Sequence, residues 1–192
     1  MRLRLASGSP RRAEILRTIG LVFEVLDPAV DESRHPDESP DSYVERLARS
    51  KAQSAAGPGF LTIGADTVVV SDGRVLGKPA HPDEARKMLQ RLQGRRHEVL
   101  TGIAVACEGR VESLVDTATV VFLVMTDEEI DDYVDTGEPM DKAGGYALQG
   151  LAARFVAAVD GSPYTVIGLP VHLLSRLVAK VGGDLRDFAS KG

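Results

Sequence analysis

An α/β fold with a mixed sheet is predicted by three features of the sequence. β-rich runs alternate with amphipathic helical stretches, two Gly-containing turns join neighbouring β-rich runs, and two of those runs far exceed an ordinary strand. The first strand is expected over Arg2–Ala6. Ser7-Gly8-Ser9-Pro10 follows, with Ser9 suited to an N-cap and Pro10 to the first helical position, so a helix should span Pro10–Ile19. A strand over Val22–Leu26 precedes a helix over Pro40–Ala56, capped by Ser39. Gly57-Pro58-Gly59 connects to a strand over Leu61–Ser71, which Asp72-Gly73 turns into Arg74–Leu76. After a helix over Pro82–Leu92, the strands Glu98–Cys107 and Arg110–Val124 are joined by Glu108-Gly109. An ordinary strand has about five or six residues, so these two are expected to carry the sheet across two lobes. Thr126-Asp127-Glu128-Glu129 is a capping box opening a helix over Asp127–Asp135. A strand over Phe155–Val159, a turn at Gly161-Ser162-Pro163-Tyr164 and a helix over Leu169–Val181 complete the order. Residues 1–188 read as a single domain of two lobes, and residues 189–192 as a loose tail.

A chain of 192 residues with 43% apolar content can bury a substantial core. Its 23 Lys and Arg against 28 Asp and Glu leave a net charge of -5, which argues against general nucleic-acid or acidic-membrane partners. Five Phe and four Tyr also offer few stacking surfaces for single strands. The lone Cys107 lies in a β-rich run and reads as a small core residue in a reducing compartment. With no signal-peptide pattern and no long apolar run, a soluble, cytoplasmic protein is expected. P-loop, CxxC, HExxH and GxSxG patterns are absent, and His35, His81, His97 and His172 show no ligand spacing, so no catalytic role is assigned to them.

Several segments carry groups suited to phosphate chemistry. Arg11 and Arg12 fall in the first turn of the first helix, the electropositive end, where a capping box would place Glu or Gln at position 12. An anion held by Ser7, Ser9 and the two guanidiniums would resolve that conflict. In Gly64-Ala65-Asp66-Thr67 a carboxylate interrupts an otherwise buried strand, so it must be paired, hydrogen-bonded or metal-bound. Asp31-Glu32, after a strand, could join Asp66 in holding Mg²⁺ or Mn²⁺. Lys51 in the second long helix and Lys78 in Gly77-Lys78-Pro79 would, with the arginines, offset the roughly four negative charges of a nucleoside triphosphate. The segment Asp141–Gly150 could present the Gln149 amide to the edge of a base, or serve as a connector.

Read together, Ser7-x-Ser9-Pro10-Arg11-Arg12, Asp31-Glu32, Lys51-Ala52, Gly64-Ala65-Asp66-Thr67, Gly77-Lys78-Pro79, Lys142-Ala143-Gly144-x-Tyr146-x-x-Gln149-Gly150 and Gly168-Leu169-Pro170 closely resemble the Maf family of nucleoside triphosphate pyrophosphatases. The resemblance runs in order from residue 3 to about residue 180. It implies an inosine-triphosphatase-like (Maf/Ham1) α/β fold, two lobes around a nucleotide cleft, a divalent cation, and hydrolysis between the α and β phosphates. Carried over, Asp66 is the proton acceptor and a metal ligand with Glu32, while Ser7, Ser9, Arg12, Lys51 and Lys78 bind phosphate. Arg11, Thr67 and Gln149 are similar to the branch acting on dTTP and UTP, in contrast to the 7-methyl-GTP branch. Thr165 departs from the Asn of many members. The same resemblance is compatible with a homodimer. It also carries the alternative of a non-hydrolytic nucleotide-binding regulator of septum formation and cell division.

Overall fold

The computed structural model describes residues 1–190. Its elements are β1 (Arg2–Ala6), α1 (Pro10–Thr18), β2 (Glu24–Val25), α2 (Pro40–Ser54), β3 (Phe60–Ser71), β4 (Arg74–Leu76), α3 (Pro82–Leu92), β5 (Arg96–Cys107), β6 (Arg110–Phe122), α4 (Asp127–Asp135), β7 (Val156–Asp160), α5 (Pro163–Ile167) and α6 (Val171–Lys180). Short 3-10 turns lie at Glu138–Asp141, Ala143–Gly145, Leu151–Phe155 and Leu185–Phe188. The strands hydrogen-bond in the order β2-β1-β3-β5-β6-β7, with β4 also on β3. β1 runs parallel to β2 and β3, whereas β4 is antiparallel to β3 and β7 to β6, so the sheet is mixed as expected. β5 and β6 have 12 and 13 residues. Both hairpin turns have positive φ at each central residue, Asp72 and Gly73, Glu108 and Gly109, as tight turns between twisted strands require.

Contacts divide the chain into two compact units. One comprises Met1–Asp66, Thr101–Asp116 and the chain from Gly168; the other comprises Thr67–Leu100 and Thr117–Ile167. The divisions fall inside β3, β5 and β6. In the first unit α2 packs against the sheet through small residues, Ala48 and Ala52 meeting Ala104 and Ala106. A Cβ on Gly64 would lie 2.3 Å from the Ala48 carbonyl oxygen, and one on Gly102 would lie 2.3 Å from that of Val44. The helix backbone therefore rests directly on the strands, a spacing only glycine permits. In the second unit Leu89, Leu92, Phe122, Ile130, Tyr133, Tyr146 and Phe155 pack together in one core.

Local differences from the sequence expectation have physical causes. Ser9 occupies the N-cap position of α1, but its hydroxyl accepts no hydrogen bond from the helix. Instead its own N–H donates to Ser7 Oγ at 3.2 Å. Ser39 and Thr126 cap as expected, Thr126 with Glu129 in a full capping box. α6 starts at Val171 rather than Leu169, because a residue before proline is held out of the helical region. Residues 163–167 form a turn and a half of helix where a simple turn was expected; Pro163 suits a helix start, and the segment is too short to show periodicity. Ala189 bridges Leu21, and the Ser190 N–H donates to the Gly20 carbonyl at 2.7 Å, so the chain is anchored through Ser190. Residues 191 and 192 lie outside the described residues. Cys107 is a buried free thiol, as expected. Among the described residues no helix is long and apolar enough to cross a membrane.

Candidate active site

In the first unit, the loop between β1 and α1 is organised around Ser7. Its buried hydroxyl oxygen accepts from Arg12 Nη1 at 2.9 Å, and Arg12 Nε donates to the Gly168 carbonyl at 2.8 Å. Arg12 is thus a buried cation in the first turn of α1, cross-tied to the start of the C-terminal segment. Burial lowers the pKa of its guanidinium, the charges of Asp66 and Glu32 act in the opposite direction, and the charge of Arg11 adds to the lowering. The misplaced cation noted in the sequence therefore already has carboxylates in its field. Half-buried Arg11 precedes it on the same turn. A further carboxylate, which sequence reasoning missed, meets this loop: the Gly8 N–H donates to Asp27 Oδ1 at 2.9 Å. A Cβ on Gly8 would lie 2.4 Å from Asp27 Oδ2. Nothing in the local pattern around Asp27 distinguishes it from an ordinary acidic residue after a strand.

The centre of the site is Lys51. Its Nζ lies 2.6 Å from Asp66 Oδ1 and 2.6 Å from Glu32 Oε1. Asp66 is buried, as is Lys51, while Glu32 reaches in from an exposed loop. The packing of α2 explains this meeting. Gly64 lets the helix approach β3, so a lysine one turn before the end of α2 reaches a carboxylate two residues beyond that glycine. The buried carboxylate that the sequence left in need of a partner has one in Lys51.

The loop bearing Glu32 is also held by α2. The Tyr43 hydroxyl donates to the Glu32 carbonyl at 2.7 Å. Burial, and after it the charges of Asp66 and Glu32, raise the Tyr43 pKa and keep it a donor. Arg46 donates to the Ser33 carbonyl at 2.9 Å and grips both oxygens of Glu38 at 2.7 and 2.9 Å. The Arg46 hydrogen bonds, opposed by burial, hold the Glu38 carboxyl at a pKa of about 2. Tyr43, Arg46 and Lys51 lie on neighbouring turns of one helix, which makes α2 the support for Glu32. Tyr43 and Arg46 carry no sequence signal beyond helical spacing, because their contacts with residues 32 and 33 are to backbone carbonyls.

Glu32 and Asp66 fit a hard divalent cation: both are oxygen donors, and both reach the same point in space, marked by Lys51 Nζ. Among the described residues no group of three or more His, Cys, Asp or Glu forms a complete protein cage. Two carboxylates plus substrate oxygens and water is the usual arrangement for Mg²⁺.

The remaining predicted residues belong to the second unit. Thr67 follows Asp66 in β3 and is half-buried. Lys78 is exposed on the loop after β4. That loop is tied to the glycine-rich segment, because the Gly144 N–H donates to the Gly77 carbonyl at 3.0 Å. Gly144 has φ +69°, and a Cβ there would lie 2.8 Å from Val69 Cγ2. Tyr146 is buried with its hydroxyl 2.8 Å from His97 Nε2, and its ring meets Phe122 and His97 edge-on. Exposed Gln149 lies at the end of this fastened segment, which is therefore no slack connector. The structure thus gathers Ser7, Ser9, Arg12, Glu32, Lys51 and Asp66 within one unit, and Thr67, Lys78 and Gln149 belong to the other.

The fold and the site together define an α/β protein with a mixed sheet, a buried Lys–Asp pair and an arginine fixed beside a serine loop. A family model described as Maf-like protein matches residues 2–181, and the chain belongs to that family. It is 46% identical over 182 residues to a dTTP/UTP pyrophosphatase of Vibrio cholerae serotype O1, covering 93% of this chain and 97% of that protein. It is 50% identical over 181 residues to a dTTP/UTP pyrophosphatase of Symbiobacterium thermophilum, covering 93% of each. Among solved structures it is similar to a HAM1 protein from Coxiella burnetii, with a TM-score of 0.50, 17% identity, and coverage of 94% of this chain and 99% of that one. At that identity the likeness shows the fold alone, and it agrees with the expected Ham1-like architecture.

Proposed function

We propose that this protein is a nucleoside triphosphate pyrophosphatase that hydrolyses dTTP and UTP to the nucleoside monophosphate and pyrophosphate. The observation that carries the reading is the Glu32–Lys51–Asp66 cluster, in a chain 46–50% identical to proteins named for that activity. A site that only held a tetra-anion would gain nothing from two carboxylates unless a metal were bound with it.

Ser7, Ser9, Arg12, Lys51 and Lys78 bind the triphosphate in this reading. Arg12 arrives with its orientation already set by Ser7 and Gly168, so little side-chain entropy is lost on binding. Lys51 exchanges its carboxylate contact for a phosphate oxygen, which frees Asp66 to take a proton from water. The water oxygen attacks the α-phosphorus in line, the bond from that phosphorus to the oxygen bridging the β-phosphorus breaks, and pyrophosphate departs. Mg²⁺ or Mn²⁺ held by Glu32 and Asp66 would neutralise charge developing on the phosphate oxygens. Arg11, Thr67 and Gln149 select the base. A cytoplasmic place and a homodimer accompany this reading as proposals.

The test is metal-dependent product release from dTTP, UTP, CTP, GTP and 7-methyl-GTP by the wild type and Asp66→Asn. Pyrophosphate from dTTP and UTP, lost in the variant, is the expected result. Orthophosphate release would place the cleavage at the terminal phosphate, and nucleotide binding without turnover would make the protein a nucleotide-binding regulator instead.

A further inference from the structure

Glu138 holds both ends of the segment that carries Gln149, all within the second unit. At the near end, Lys142 Nζ donates to the Glu138 main-chain carbonyl at 2.7 Å. At the far end, the Leu151 N–H donates to Glu138 Oε2 at 3.0 Å, and the Ala152 N–H reaches Oε1 at 3.5 Å. The buried Tyr133 hydroxyl donates to the same Oε1 at 2.8 Å and so sets the orientation of the carboxylate. The backbone at Gly150 lies against this carboxylate so closely that a Cβ there would be 2.6 Å from each of its oxygens. Gly137, at φ +74°, ends α4 and turns the chain so that Glu138 faces this segment. Burial raises the Glu138 pKa, but the Leu151, Tyr133 and Ala152 donors and the Lys142 charge outweigh it and leave a net lowering. The carboxylate therefore stays an acceptor for all of its partners.

We propose that Glu138 is a positioning residue for base selectivity: by clamping residues 142–152 at both ends, it sets where the Gln149 amide meets the base. This rests on the assignment of Gln149 to base recognition under the proposed function. An amide discriminates only when its donor and acceptor are held in place against the base edge, and Gln149 itself is exposed and two residues before the clamped Leu151.

The test compares KM for UTP with the inhibition constant of tripolyphosphate, which has the phosphates and no base. Wild type, Gln149→Ala, Glu138→Gln and Tyr133→Phe are measured at saturating metal, with thermal melts to confirm folding. The expected result is a rise of about tenfold in KM for UTP in Gln149→Ala and Glu138→Gln, a smaller rise in Tyr133→Phe, and an unchanged tripolyphosphate constant in all three. Tyr133→Phe removes only a hydroxyl, so it remains informative if Glu138→Gln fails to fold. A Gln149→Ala effect with none from Glu138→Gln and Tyr133→Phe would overturn the clamp and leave the role of Gln149 standing. UTP and tripolyphosphate constants rising together in Glu138→Gln or Tyr133→Phe would reduce Glu138 to a structural role. No effect of Gln149→Ala would remove the role of Gln149 and the clamp with it. Absence of UTP turnover by the wild type would instead count against the proposed function.

Discussion

In the first unit Lys51 is buried with a carboxylate on either side, whereas in the second His97 is buried against Tyr146 and Phe122, with burial alone acting on its titration. The two surroundings differ in that only Lys51 is given opposite charges. His97 responds by giving up its proton, its pKa lowered to about 4. The comparison separates two uses of a buried polar side chain. One joins two carboxylates from separate segments, and the other supplies a neutral hydrogen bond that fixes Tyr146 within the glycine-rich segment.

The sharpest test of the charged cluster is Asp66→Asn. It keeps the shape of the carboxylate and removes the proton acceptor, so kcat should fall by about 10²–10⁴-fold at saturating metal. Retention of the full rate would mean that another group activates the water. Lys51→Met probes the same cluster through stability. Removing the cation leaves Asp66 buried without its charge partner, and unfolding in urea should show a loss of about 3 kcal/mol. Added Mg²⁺ or Mn²⁺ should recover part of that loss, because a cation that binds only the folded chain stabilises it. A variant as stable as its parent would show that the ion pair is energetically neutral.

The second unit should show its character in pH dependence. The unfolded chain binds a proton at His97 near pH 6.5, while the folded chain holds it neutral down to about 4. This contribution is therefore fully present above pH 6.5 and is lost as pH falls toward 4, a change of about 3 kcal/mol. His97→Gln should flatten that part of the stability profile, and an unchanged slope would place the titration elsewhere. The smallest expected effect returns to the first unit. Tyr43→Phe removes one hydroxyl that steadies the Glu32 loop and should cost about 1 kcal/mol or less in stability, with a severalfold loss of Mn²⁺ affinity read by calorimetry. If Glu32→Gln weakens Mn²⁺ binding and Tyr43→Phe does not, the hydroxyl plays no part in presenting Glu32.

Much of the architecture was legible because it follows from neighbours in the chain. β1, β4, α3 and α4 occupy the predicted ranges, and the hairpins turn where Asp72-Gly73 and Glu108-Gly109 supply positive φ. The misplaced arginine, the carboxylate within β3 and the glycine two residues before it were legible as candidate site features before any packing was known. What was not legible lies in backbone acceptors and short turns. Arg12 meets the carbonyl of Gly168, 156 residues away, and Tyr43 meets the carbonyl of Glu32, neither of which has a side-chain signature. The Ser9 hydroxyl, expected to cap α1, does not, because Ser7 shapes that loop instead.

The sequence by itself determined the order of elements, the mixed sheet and the charged residues available for chemistry, since propensity, capping and turn geometry act over a few residues. Tertiary structure alone decided that Lys51 lies between Glu32 and Asp66, and that Glu138 reaches the backbone beyond Gln149. Those meetings depend on how closely α2 settles on Gly64 and on how Gly137 turns the chain after α4. Such distances are set by packing between segments remote in sequence, and no local pattern encodes them.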